Sequence, residues 1–214
     1  IEGEGLDAFV EAARTALTDA AAQTMLTPGI HAAYTKASES LASHAKVETV
    51  AQGKVGEGVT AGRAAFFQTT AEAFLADEAL GHEVFGASSI LVRCRDEAEL
   101  IAVLKAAEGQ LTATIQMDEG DTDMAARLVP VLERKAGRIL ANGWPTGVEV
   151  AHAMVHGGPF PSTSDARTTS VGSLAIDRYL RPVSYQNLSA ALLPEDLKDE
   201  AAGKLPRLVD GQPG

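Results

Sequence analysis

Between residues 47 and 142 the apolar residues change their spacing repeatedly, and this alternation is the strongest constraint on the fold. Short apolar runs of strand length, such as Ser89 to Arg93 and Leu111 to Gln116, are separated by a stretch with helical spacing at Glu97 to Ala107. Strands that alternate with helices form βαβ units, in which the strands are parallel. The sequence therefore predicts an α/β fold with a mostly parallel sheet and flanking helices.

The same spacing predicts the remaining elements. Two amphipathic helices are expected near the start, at Leu6 to Leu17 and at Ile30 to Leu41. Further strands are predicted at 47–51, 64–70, 138–142 and 181–188, and further helices at 71–79 and 122–135. Gly, Pro, Ser and Thr crowd residues 143–172, which predicts a long structured loop, and such loops are usually functional. The last residues are predicted to form a surface tail.

Composition excludes several classes of partner. The chain has 29 acidic and 18 basic residues in 214, a formal charge of −11, which repels phosphate backbones and anionic lipid headgroups. We therefore expect no nucleic-acid and no membrane partner. A single cysteine excludes an internal disulfide framework and favours a cytoplasmic location.

Four segments, in order along the chain, resemble the C-terminal part of an aldehyde dehydrogenase. They are Glu83 to Gly86 with the strand after it, Gly109 to Thr114, Ala136 to Asn142, and Pro159-Phe160 with the strand at Arg181 to Asn187. The segments Gly143 to Val148 and His156 to Thr169 further resemble the subgroup that acts on α-ketoglutaric semialdehyde or on fatty aldehydes. Four ordered matches are far more specific than any one of them.

The resemblance implies an aldehyde-dehydrogenase-like catalytic domain that lacks its N-terminal portion. It also implies oxidation of an aldehyde to the carboxylic acid with NADP or NAD as cofactor. Residues 1–178 would be the partial catalytic domain, 179–190 an oligomerisation strand and 191–214 a C-terminal tail. In this family the oligomerisation strand adds to a partner's sheet, so a homodimer or homotetramer is expected.

Resemblance also assigns the candidate site residues. The carboxylate of Glu83 would accept hydrogen bonds from the nicotinamide-side ribose, and Phe85 would pack near the nicotinamide. Val148, Pro159 and Phe160 would line the aldehyde pocket, whose apolar wall suits the body of an aldehyde. The structural alternatives are a solvated Glu83 and apolar side chains that serve the core. Arg167 is a candidate for binding a second carboxylate of the substrate.

The chain offers no catalytic nucleophile. Aldehyde oxidation by this family needs a thiolate and a base that activates water. Cys94 follows the apolar residues Ile90 to Val92 and has no neighbouring His, which favours a structural thiol. Resemblance places the catalytic thiol and base upstream of a helix like Leu6 to Ala21, so the chain by itself is predicted to be inactive. The alternative is a non-catalytic assembly or ligand-binding module on the same fold.

The sequence predicts no metal site. His152 and His156 share a helical spacing, but the zinc-protease pattern requires Glu where Ala153 stands. In the acidic run Asp118 to Asp123 the glycine is third instead of sixth, and Val129 stands where a calcium-binding loop needs its final glutamate. Helix capping by Asp121 or Thr122 explains this run better.

Overall fold

The computed structural model describes residues 1–201 and 205–213, which divide into two compact units between Ala175 and Ile176. The first unit contains five helices among the described residues: α1 (Glu4–Thr18), α2 (Pro28–Ala42), α3 (Ala71–Ala76), α4 (Glu97–Ala106) and α5 (Thr122–Leu132). Its strands are β1 (Gln23–Thr24), β2 (Glu48–Gln52), β3 (Ala61–Gly62), β4 (Ala65–Thr70), β5 (Ser88–Arg93), β6 (Gln110–Ile115) and β7 (Ala136–Ala141). The predicted α/β fold is confirmed.

The strands form separate small sheets, of which the longest pairings are mostly parallel. β4 pairs in parallel with β5, and β6 pairs in parallel with β7. β2 pairs with β4 in the antiparallel sense, a detail that the strand–helix alternation did not predict. The connection between β2 and β4 carries only the two-residue strand β3, whereas a parallel pairing needs a long crossover, usually a helix.

Side-chain caps set where several helices begin. Thr27 accepts a hydrogen bond from the amide of Ile30 at 3.1 Å and precedes Pro28, which suits the first turn of α2. Asp118 caps the short 3-10 turn before α5 by accepting from the amide of Gly120 at 2.8 Å. The Asp121 side chain instead accepts from the amide of Asp118, so Asp121 does not cap α5 with its side chain as predicted.

Both faces of β4 are covered. Phe66 packs with Val10 of α1 and Val50 of β2, and Phe67 on the opposite face is completely buried. A second cluster contains Ala71, Cys94 and Val103, with the Cys94 side chain only 2% exposed. Burial raises the pKa of the Cys94 thiol, which keeps it protonated and agrees with a structural role.

The predicted strand at 181–188 is not formed. Residues 180–188, all described by the structure, contain neither helix nor strand. A single extended segment has no sheet partner within its own unit to satisfy its backbone groups, and Pro182 lacks an amide donor. The tail instead forms short 3-10 turns and the hairpin of β8 (Leu208–Val209) and β9 (Gln212–Pro213). The predicted division at 178 and 190 stays a prediction.

Candidate functional site

The segment Glu83–Gly86 forms an exposed loop between α3 and β5. A 3-10 turn, Glu78–Gly81, precedes it, and the Asp77 carboxylate caps this turn by accepting from the amide of Ala79 at 3.0 Å. Asp77 also lies 3.1 Å from Nε2 of His44. Both contacts, the Ala79 amide first, lower the pKa of Asp77 below its usual value. The start of the loop is therefore tied to the end of α2.

Glu83 and Phe85 lie on this loop with their side chains exposed to solvent. The Phe85 side chain is 65% exposed, and the Glu83 carboxylate is exposed without a hydrogen bond or ion pair to any described residue. Both line a groove of about 750 Å³ whose walls are mostly apolar, with Leu26, Ile30 and Leu80 among them. The structure brings the two predicted cofactor residues together, with Glu83 free to accept hydrogen bonds from a ligand.

Glu83 also lines a second groove, of about 470 Å³. Its lining also includes His156, Pro161 and Ser162 of the long loop and Thr112 of β6. Glu83 and His156, about seventy residues apart in the sequence, therefore border one groove. A groove with an exposed carboxylate on one segment and polar groups on another can bind a polar ligand between them.

Glycines allow the His156 loop to lie close against β6 and β7. A Cβ placed on Gly137 would come within 2.1 Å of the Gly157 carbonyl oxygen, and one on Gly109 within 2.3 Å of the Pro159 oxygen. A Cβ on Gly158 would be 2.4 Å from the oxygen of Gln110. The glycines in these segments are thus required by close approach of two backbones.

Hydrogen bonds within the loop hold its shape. The amide of His156 donates to Oγ1 of Thr169 at 2.8 Å, and Oγ1 of Thr163 donates to the Gly158 carbonyl at 2.9 Å. The Ser162 hydroxyl donates to the Pro159 carbonyl at 2.6 Å. Although residues 142–172, all described, contain neither helix nor strand, this part of the loop has a defined conformation.

The three predicted substrate residues are not among those that line the two grooves bordered by Glu83. Val148 is 40% exposed, Phe160 is 81% exposed, and Pro159 is half-buried with its carbonyl engaged by Ser162. Their neighbours Pro145, His156, Pro161 and Ser162 line the second groove instead. The substrate role of the three residues stays a prediction, because an irregular loop has no periodic spacing from which the groove-lining side chains could be read.

Arg167 does not face either groove. Its Nε donates to Oδ1 of Asp165 at 3.1 Å, its side chain is 89% exposed, and the pairing raises its pKa. The guanidinium is therefore paired at the surface, and Arg167 is not among the residues that line the two grooves.

One group among the described residues has the composition of a metal site. Donor atoms of Glu78, His82 and Glu108 lie within 4.8 Å of one another, with Glu78 and His82 exposed and Glu108 half-buried. Exposed donors of this kind are well solvated, so their proximity alone does not make a metal site. His152 and His156, which were considered from the sequence, do not belong to this group.

Within the part of the chain that the structure describes, no helix has both the length and the apolar character needed to cross a membrane.

Comparison with curated proteins finds close relatives. The chain is 51% identical over 212 residues to alpha-ketoglutaric semialdehyde dehydrogenase 2 of Azospirillum brasilense, a match that covers 99% of the chain and 40% of that protein. It is 45% identical, with the same coverage, to alpha-ketoglutaric semialdehyde dehydrogenase of Acinetobacter baylyi. The chain thus spans about 40% of the length of these relatives. No protein family model matches it.

Solved structures share the fold. An aldehyde dehydrogenase from Bacillus cereus superposes with a TM-score of 0.61 at 17% identity, over 81% of this chain and 35% of that one. A delta-pyrroline-5-carboxylate dehydrogenase from Mycobacterium tuberculosis, solved with NAD, gives 0.57 at 16% identity, over 80% and 31%. The chain is therefore similar in sequence, over 99% of its length, to part of two alpha-ketoglutaric semialdehyde dehydrogenases, and it shares the fold of solved aldehyde dehydrogenases.

Proposed function

We propose that the chain is the C-terminal portion of the catalytic domain of an NAD(P)-dependent aldehyde dehydrogenase. The substrate that we propose is α-ketoglutaric semialdehyde, which would be oxidised to the carboxylic acid. One observation carries the proposal: Glu83 and the His156 loop border one groove in a chain that is 51% identical to a dehydrogenase of that name. A fatty aldehyde is the alternative substrate.

In this proposal Glu83 and Phe85 hold the nicotinamide end of the cofactor. Two adjacent ribose hydroxyls can donate to the two oxygens of the Glu83 carboxylate, which has no partner among the described residues. Phe85 offers an exposed apolar face for a flat ring. When bound, the dinucleotide accepts the hydride. NADP and NAD share this end of the molecule, so these residues serve either.

The His156 loop would form the substrate side of the site. We propose that Val148, Pro159 and Phe160 contribute apolar surface to the aldehyde pocket, and the exposure of Val148 and Phe160 supports this role. Arg167 is left out of the proposed pocket because it pairs with Asp165.

The chemical step needs a thiolate that this chain does not present. Cys94 is the one cysteine in the sequence, and it is buried with a raised pKa. The isolated chain would therefore bind without turning over, and the activity would belong to a longer protein that contains it.

The test compares two proteins. One is this chain alone, and the other is this chain joined to the remaining 60% of the relatives' length. Only the longer protein should reduce NADP or NAD in the presence of the semialdehyde, and it should prefer this substrate to a long-chain aldehyde. Turnover by the chain alone, or none by the longer protein, would contradict the proposal.

Glu83→Gln in the longer protein tests the cofactor role. Loss of hydrogen bonds to a charged group, roughly 1.5–3 kcal/mol, should raise KM for the cofactor by roughly 10- to 100-fold. KM for the aldehyde should stay within about twofold. The control is Glu57→Gln, which changes an exposed carboxylate that lines neither groove.

We further propose that residues 179–190 pair with the sheet of a second copy to form a homodimer or homotetramer. Val183 and Tyr185 are 54% and 46% exposed, and the backbone around them has no sheet partner in the described part of the chain. Light scattering of the longer protein should show a dimer or tetramer.

A thiolate enzyme with a diffusible dinucleotide suits the reducing cytoplasm, which is where we place it.

A further inference from the structure

We propose that Tyr34 is a positioning residue for the loop Glu83–Gly86 and thereby sets where Glu83 and Phe85 meet the cofactor. The inference rests on the proposed function of these two residues. Tyr34 lies on α2, about fifty residues away in sequence, and its side chain is 3% exposed. It has no part in the chemistry and would act only through the loop.

The Tyr34 hydroxyl joins the end of the loop to the sheet. It lies 3.0 Å from the carbonyl oxygen of Ala87 and also contacts the carbonyl oxygen of Arg63. The Ala87 carbonyl accepts a second hydrogen bond, from the amide of Ala65 at 2.9 Å. The single hydroxyl proton is shared between these two carbonyls, so one buried hydroxyl links α2 to the segment just before β4 and to the residue that follows Gly86. Burial raises the pKa of Tyr34, so the hydroxyl remains a donor at neutral pH.

The Tyr34 ring explains why residue 86 is glycine. A Cβ on Gly86 would lie 2.3 Å from Cδ2 of Tyr34 and 2.8 Å from both Cγ and Cε2. The φ angle of Gly86 is outside the left-handed region, so its backbone conformation does not require glycine. The requirement is the close approach of the aromatic ring to the backbone.

These contacts fix both ends of the loop and leave its middle free. Asp77 caps the turn at one end, and Tyr34 holds Gly86 and Ala87 at the other. Between them, Glu83 and Phe85 remain exposed. Such support lowers the cost of ordering a binding group when the ligand arrives.

The test uses the longer protein with the variants Tyr34→Phe and Gly86→Ala. Tyr34→Phe keeps the ring and removes the hydroxyl. We expect Kd for the cofactor to rise roughly 3- to 10-fold, because the loss of one hydrogen bond costs about 1 kcal/mol of binding free energy. KM for the aldehyde should change less than twofold. Gly86→Ala pushes the loop from the ring and should weaken cofactor binding further.

A readout without cofactor tests the same idea. Amide hydrogen exchange of residues 82–88 should be faster in Tyr34→Phe, while α5 and β7 exchange as in the wild type. The control for Gly86→Ala is Gly58→Ala, which adds a Cβ whose nearest neighbour is 3.6 Å away.

The outcomes separate this inference from the proposed function. If Glu83→Gln leaves the cofactor Kd unchanged, the proposed function fails. If Glu83→Gln weakens binding but Tyr34→Phe and Gly86→Ala do not, the positioning role alone is overturned. A lower Tm in Tyr34→Phe with unchanged Kd and unchanged exchange at residues 82–88 would likewise show a structural role only.

Discussion

The substitution Gly137→Ala should displace the His156 loop. The added Cβ would lie 2.1 Å from the Gly157 oxygen, 2.6 Å from the Gly157 carbonyl carbon and 3.0 Å from the Gly158 amide nitrogen. All three atoms belong to backbone, so no side chain can rotate away to make room. Either β7 or the loop must shift.

The expected cost follows from this geometry. Overpacking of a close contact costs about 1–3 kcal/mol, and the upper half of that range applies where the backbone must move. For a chain of this size the loss should lower Tm by roughly 4–12 °C. Urea unfolding of the chain measures the change in the free energy of unfolding. In the longer protein, KM for the aldehyde should rise more than KM for the cofactor, because the loop borders the groove opposite Glu83.

The matched control is Gly143→Ala, six residues along the chain. Its Cβ would meet Leu140 Cδ2 at 3.5 Å, an ordinary van der Waals contact. This variant should unfold within about 0.5 kcal/mol of the wild type, as most substitutions free of such contacts do. If both variants lose the same small amount of stability, the backbone contact at Gly137 is not what requires glycine, and the account of this loop is refuted.

Three further outcomes are expected. Phe67→Ala should cost about 3–5 kcal/mol in urea unfolding because Phe67 is fully buried, whereas Phe160→Ala, at an 81% exposed position, should cost little. The lowered pKa of Asp77 contributes stability above its ordinary pKa of about 4 that is lost as pH falls through the folded value, and Asp77→Asn should flatten this part of an acid titration followed by circular dichroism. Cys94 should react with Ellman's reagent in urea but only slowly in buffer, and rapid reaction in buffer would contradict its burial.

The order of helices and strands in the first unit could be predicted from local spacing. The bounds of α1, α2, β4 and β5 differ from the predicted ones by only a few residues. Each element is long enough for its apolar period to appear, and turns with Gly or Pro separate them. The strand at 181–188 was predicted on weaker alternation, and without a sheet partner that segment forms no strand.

The sequence by itself determined the resemblance to the family and the two segments that border the site. The order of motifs along a chain can be recognised without knowing which residues are in contact. Only the tertiary structure decided which residues face the grooves and why particular positions are glycine. Gly86 meets a tyrosine from α2, and Gly137 meets the backbone of Gly157. Such contacts join segments about twenty to fifty residues apart, so they leave no period or local pattern in the sequence.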